Sequence, residues 1–170
     1  MAKVELLLPF ILKWEGGFVN DPHDSGGATN MGVTFATYAI YCKKKGYSQP
    51  TVQRLRNISK DQVTDILKVM YWDRWKADQI NSQSVANALV DWVWCSGVHG
   101  IKIPQRALGL KNDGIVGPIS LAAVNNADPK KLFDTIQDER ELFLIDIADR
   151  RPTQRRFIKG WLNRVNNLKY

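Results

Sequence analysis

The sequence has little of what would fix a fold by covalent or metal staples. Two cysteines in 170 residues exclude a disulfide framework, and Cys42 and Cys95 form no C-x-x-C pair. Both sit among apolar neighbours, which predicts buried free thiols. Two histidines, His23 and His99, lie too far apart to predict a zinc site. No apolar run is long enough to span a membrane. The stretch Leu6 to Leu12 is broken by Pro9, runs into Lys13-Trp14-Glu15 and has no small-residue cleavage site. It reads as a core helix, with no signal peptide and no membrane insertion. The chain is therefore expected to be made in the cytoplasm. No Lys/Arg block of the nucleic-acid-arm type occurs. Lys43-Lys44-Lys45 suits the end of a helix before Gly46, where cations meet the negative end of the dipole. Internal repeats and low-complexity linkers are absent too.

What remains is an ordinary globular composition, 44% hydrophobic and 24% charged, with a net charge of +7. That charge favours anionic partners, among them nucleic acid, anionic lipid and bacterial cell wall. The length allows one domain or two small packed halves.

Apolar residues recur at helical spacing through most of the chain, predicting a mainly α fold. The first helix should bury Leu7, Leu8, Ile11 and Leu12 and stop at Gly16-Gly17. Residues 17 to 33 lose the periodicity; Asn20-Asp21-Pro22, Gly26-Gly27 and Met31-Gly32 predict a structured loop or a small β-hairpin. Thr34 caps a helix that Gly46 ends. Ser59 to Gln62 is a capping-box match opening a helix with Val63, Ile66, Leu67 and Met70. Further helices are expected over about Ser84 to Ser96 and Ile103 to Leu108, after Pro118, after Asp128-Pro129, and after Thr153. A soft boundary near residues 80 to 100 divides a region 1–88 from a region 89–170, expected to pack as one unit.

The chemistry concentrates in Trp14-Glu15-Gly16-Gly17-Phe18, followed by Asp24, Gly26-Gly27 and Thr29. Glu15 closes an apolar helix beside Trp14. Desolvation and the negative helix end both disfavour its charged form. A glutamic acid that keeps its proton can donate it to a leaving sugar oxygen. Gly16 and Gly17 clear side chains from its flank, so a polymer can approach. Asp24, on a glycine-rich turn, and Thr29 could hold an attacking water on the opposite face. Asp21 is a rival second carboxylate. Trp72, Trp75, Trp92 and Trp94 offer flat apolar faces for sugar rings. Trp92 and Trp94 flank Val93, so one is core while the other faces a groove or a neighbouring helix. Tyr71 is a further candidate.

The run Glu15 to Pro22, then Asp24, Gly26-Gly27, Thr29 and Gly32-Val33-Thr34, resembles the N-terminal signature of glycoside hydrolase family 108. Its members are N-acetylmuramidases of phages and bacteria, some known as secretion activator proteins. The resemblance implies a lysozyme-like fold with Glu15 as catalytic acid. The order Glu15, Asp24, Thr29 also resembles the catalytic triad of phage-type lysozymes, with one residue fewer between Asp24 and Thr29. Downstream, Asp91-Trp92, Ser96-Gly97, Gln105 to Gly109 and Asp113 to Pro118 resemble the predicted peptidoglycan-binding domain that follows such catalytic regions. That family usually has Asn before Ser-Gly, where this chain has Cys95.

Together these imply a peptidoglycan hydrolase that cleaves the β-1,4 bond between N-acetylmuramic acid and N-acetylglucosamine. Its catalytic residues would be Glu15, Asp24 and Thr29. Gly16, Gly17, Asp21, Tyr71, Trp92, Trp94 and Ser96 would contact substrate. No metal or cofactor is implied. The partner would be the glycan strand of the cell wall, met after export or lysis by a monomer. The alternative is a catalytically weak wall-binding adaptor involved in secretion. A basic nucleic-acid-binding domain is disfavoured, because no helix-turn-helix signature is present and the Glu-Gly-Gly segment would go unexplained.

Overall fold

A computed structural model describes residues 1–23 and 26–170. Asp24, one of the expected catalytic residues, lies outside the described residues, as does Ser25. The chain is mainly helical with one short hairpin, as its periodicity and the lysozyme-like resemblance predict. No helix among the described residues is long and apolar enough to cross a membrane. Packing divides the chain into two compact units. One is Val4–Asp73, here the hairpin unit; the other, the helical unit, is Arg74–Tyr170 together with Met1–Lys3.

The hairpin unit begins with helix α1 (Leu8–Trp14), which buries Leu7 and Ile11 completely. Strands β1 (Thr29–Asn30) and β2 (Val33–Thr34) pair antiparallel. They are joined through Met31 and Gly32, both at positive φ (50° and 79°), the backbone of a tight hairpin turn whose twist suits the strands. Asn30 is buried, and its amide donates to the carbonyls of Leu55 and Arg56, 3.0 Å each. Those carbonyls belong to α3 (Val52–Arg56), so the hairpin is bolted to the end of that helix.

Thr34 opens α2 (Phe35–Lys45), its side chain accepting from the Thr37 N–H. Gly46, at φ 70°, closes it, and the Tyr47 N–H reaches back to the Cys42 carbonyl at 2.9 Å, as in a left-handed helix cap. Ser59 caps α4 (Lys60–Met70), which faces the core with Val63, Ile66 and Leu67.

The helical unit is organised on α5 (Gln83–Ser96), capped by Ser82. This helix is uninterrupted, and Val85 to Val93 are buried at nearly every position. Packing divides the chain at residues 73–74, ahead of this helix. Helix α6 (His99–Ala107) runs through Pro104. Proline supplies no N–H to the carbonyl four residues back, and the freed Gly100 carbonyl accepts the Trp75 indole N–H at 3.0 Å. Gly100 itself lies against α5. A Cβ there would meet the Val93 nitrogen at 2.6 Å and the Trp92 carbonyl carbon at 2.7 Å.

The buried Gln105 side chain accepts from the Gly114 N–H and donates to the Ile115 carbonyl, 2.9 Å each. The Asp113-Gly114 motif is thus a turn pinned from beneath, leading into α7 (Pro118–Asn126). Helix α8 (Pro129–Arg150) follows its Asp128 cap. A 3-10 helix (Pro152–Phe157) precedes α9 (Ile158–Asn167), so Thr153 does not cap the last helix as expected.

Candidate active site

In the hairpin unit, α1 ends on Glu15. Its N–H still bonds the Ile11 carbonyl at 3.1 Å, while its own backbone has turned to an extended φ of −97° and ψ of 142°. The carboxylate therefore stands at the C-terminal end of a short, largely apolar helix anchored by buried Ile11, and is itself partly exposed. Gly16 and Gly17 follow, both exposed. Neither has a positive φ, and a Cβ built on either meets nothing within 4 Å among the described residues. Among those residues, neither backbone conformation nor packing demands glycine at these two positions, which leaves open space next in sequence to Glu15.

Four residues beyond Glu15, Val19 and Thr29 exchange both backbone hydrogen bonds at 2.8 Å. That bridge places Thr29 beside Val19, four residues beyond the Glu15 cap of α1. Phe18 lies under the Arg56 guanidinium at 5.2 Å. Asp21 is exposed, and its carboxylate accepts the His23 N–H at 2.8 Å, a local turn contact. Tyr71 ends α4 and is half-buried. Glu15, Gly16, Gly17, Asp21, Thr29 and Tyr71 thus share one unit, while Trp92, Trp94 and Ser96 belong to the other.

Trp92 corrects an expectation. It is 0% exposed, packs on Phe143 with ring centroids 5.9 Å apart, and leaves its indole N–H buried without a partner. It has no surface to offer a sugar; it is core because it points inward from α5. Trp94, on the opposite side of the helix, keeps part of its surface, as does Ser96. Trp72 and Trp75 are also fully buried. Cys95 is a second correction. Cys42 is a buried free thiol as predicted, but Cys95 is exposed, because it sits on the solvent side of the last turn of α5.

Asp91, from the Asp-Trp motif, proves to be a buried anchor. It is 0% exposed and receives Arg140 Nη1 at 2.8 Å and Arg164 Nη2 at 2.8 Å. Burial pushes its carboxyl up, but the two guanidiniums outweigh that and hold it below the usual carboxylate range. Arg140 escaped sequence reading. Its signal was a cation among the inward positions of α8, beside Ile136 and Leu144.

An apolar helix ending on a glutamate, open glycines beside it and a short hairpin folded back behind it define a protein of the lysozyme-like class. The chain belongs to the glycosyl hydrolase 108 family, whose pattern matches residues 8–97. A predicted peptidoglycan domain matches residues 99–166. Among solved structures, SagA of Brucella abortus is similar, at 30% identity and a TM-score of 0.80. The match covers 97% of this chain and 90% of that one. No curated protein sequence matches. Family and second domain together tie the function to peptidoglycan.

Proposed function

We propose that the protein is an N-acetylmuramidase that hydrolyses the β-1,4 bond between N-acetylmuramic acid and N-acetylglucosamine. The observation that carries this reading is Glu15 at the end of α1 with open space at Gly16 and Gly17, inside the family-matched region. In this reading Glu15 donates its proton to the glycosidic oxygen as the bond to the muramic acid carbon breaks. Positive charge develops on that sugar, and a carboxylate on the hairpin side stabilises it or orients water, with Asp24 in that role and Thr29 assisting. The glycine pair lets the strand lie close to the acid. The enzyme acts on the cell wall, reached by export or lysis.

The test is reducing-sugar release from purified peptidoglycan by wild type and Glu15→Gln, with mass analysis of the fragments. Glutamine keeps the shape but has no proton to give. The expected outcome is reducing muramic acid ends from wild type and a loss of at least about 100-fold in the variant. Equal activity in both removes Glu15 from the mechanism. Wall binding without hydrolysis in either favours an adaptor that works in secretion.

A further inference from the structure

The helical unit contains a cavity of about 380 Å³ that the proposed hydrolysis does not use. Its apolar floor is Phe143 and Ile147, one turn apart on α8. Phe143 is wedged between Trp92 (5.9 Å) and His99 (5.2 Å), so its ring is fixed. On the rim, Asp146 Oδ1 pairs with Arg150 Nε at 3.0 Å, with side chains 52% and 77% exposed. Arg151 adds a second guanidinium where α8 ends. Ser96, expected from sequence to touch substrate, closes the α5 side.

The charges select the ligand. A simple anion would meet Asp146, and a simple cation would meet two arginines. A neutral sugar would bring no charge to any of the three. A group with a carboxylate and an ammonium on one carbon, carried on an aliphatic chain, answers every part. Its carboxylate suits Arg150 and Arg151, its ammonium suits Asp146, and its methylenes lie on Phe143 and Ile147. An exposed i,i+4 ion pair contributes little, so the Asp146–Arg150 pair opens to admit such a group at small cost.

We propose that this cavity binds the zwitterionic amino-acid end of a peptidoglycan stem peptide, as presented by a diaminopimelate side chain. The proposal rests on peptidoglycan being the substrate. Four lining residues on α8, Arg151 just past its end, and His99 fall within the predicted peptidoglycan domain. The stem would be read here while the glycan is read at the hairpin unit.

The experiment is a titration of the full chain, followed by NMR, with two isolated stem tripeptides. One ends in diaminopimelate; the other has lysine in its place and lacks the outer carboxylate. The expected result is that the first shifts signals of His99, Phe143 and Ile147, and that the second binds about tenfold more weakly. Arg151→Ala and Asp146→Asn, both surface changes checked for folding by circular dichroism, should each weaken the first peptide by about tenfold. Equal binding of the two peptides, unaffected variants, shifts elsewhere or no shifts at all overturn the proposal. Hydrolysis of peptidoglycan measured beside it separates the two readings. Cleavage without stem binding leaves the muramidase standing and removes this site. Stem binding without cleavage does the reverse.

Discussion

At the scale of single residues, Gly16 and Gly17 show no structural need for glycine among the described residues. Most glycines in this chain that matter structurally have a visible reason, such as the positive φ of Gly46 or the close approach of Gly100 to α5. Gly16 and Gly17 have neither. Replacing either by Ala should leave the thermal midpoint nearly unchanged while lowering hydrolysis of polymeric peptidoglycan more than that of short fragments; paired melting and turnover assays check it. Asp91 is the opposite case. Asp91→Asn removes the charge that buried Arg140 and half-buried Arg164 share and should cost about 3–5 kcal/mol in urea unfolding at neutral pH. The folded-state carboxyl lies below its unfolded value, so its contribution is complete above about pH 4 and is lost as pH falls through the lower, folded value. The acid limb of stability should therefore be shallower in Asp91→Asn than in wild type. Glu15 was legible because its setting is local: helix, tryptophan and glycines are contiguous. The Asp91 triad was not, since its arginines come from α8 and α9, 49 and 73 positions away. The burial of Trp92 rather than Trp94 likewise depends on which side of α5 meets Phe143.

At the scale of elements, caps and turns were the readable part. Thr34, Ser59 and Asp128 each accept the backbone N–H three residues on, as their sequence contexts predict. What sequence obscured were elements whose breakers are answered by distant partners. Helix α6 contains Gly100 and Pro104, both helix-weakening, and reads as a short helix beginning at Ile103. It starts at His99 because Trp75 takes over the carbonyl that Pro104 abandons and because Gly100 lets it nest on α5. Helix α3, five residues long, is too short to show a period at all. The α5–α6 contact predicts that Gly100→Ala destabilises by about 1–3 kcal/mol, the range for overpacking. The clash is with backbone atoms, which cannot swing aside as a side chain would. Denaturant unfolding of the purified variant measures it, and a change below about 0.5 kcal/mol would contradict the packing described.

At the scale of the whole molecule, the net charge of +7 predicts a salt-dependent share of wall affinity. Co-sedimentation with purified peptidoglycan carrying anionic polymers should fall as sodium chloride rises from about 0.05 to 0.5 M, because exposed charges are screened over ever shorter distances. Peptidoglycan stripped of those polymers should show a weaker dependence. Packing divides the chain at residues 3–4 and 73–74. The Ala2 N–H donates to the Ile80 carbonyl at 2.8 Å, and Lys3 exchanges hydrogen bonds with the Gln83 side chain at 2.8 and 3.0 Å. Residues 1–3 thus belong to the helical unit, which the chain leaves at residue 4 and rejoins at residue 74. The hairpin unit is an insertion, with both of its ends tied to the host. On the ribosome it has all its residues early and can fold while the helical unit still waits for α8 and α9.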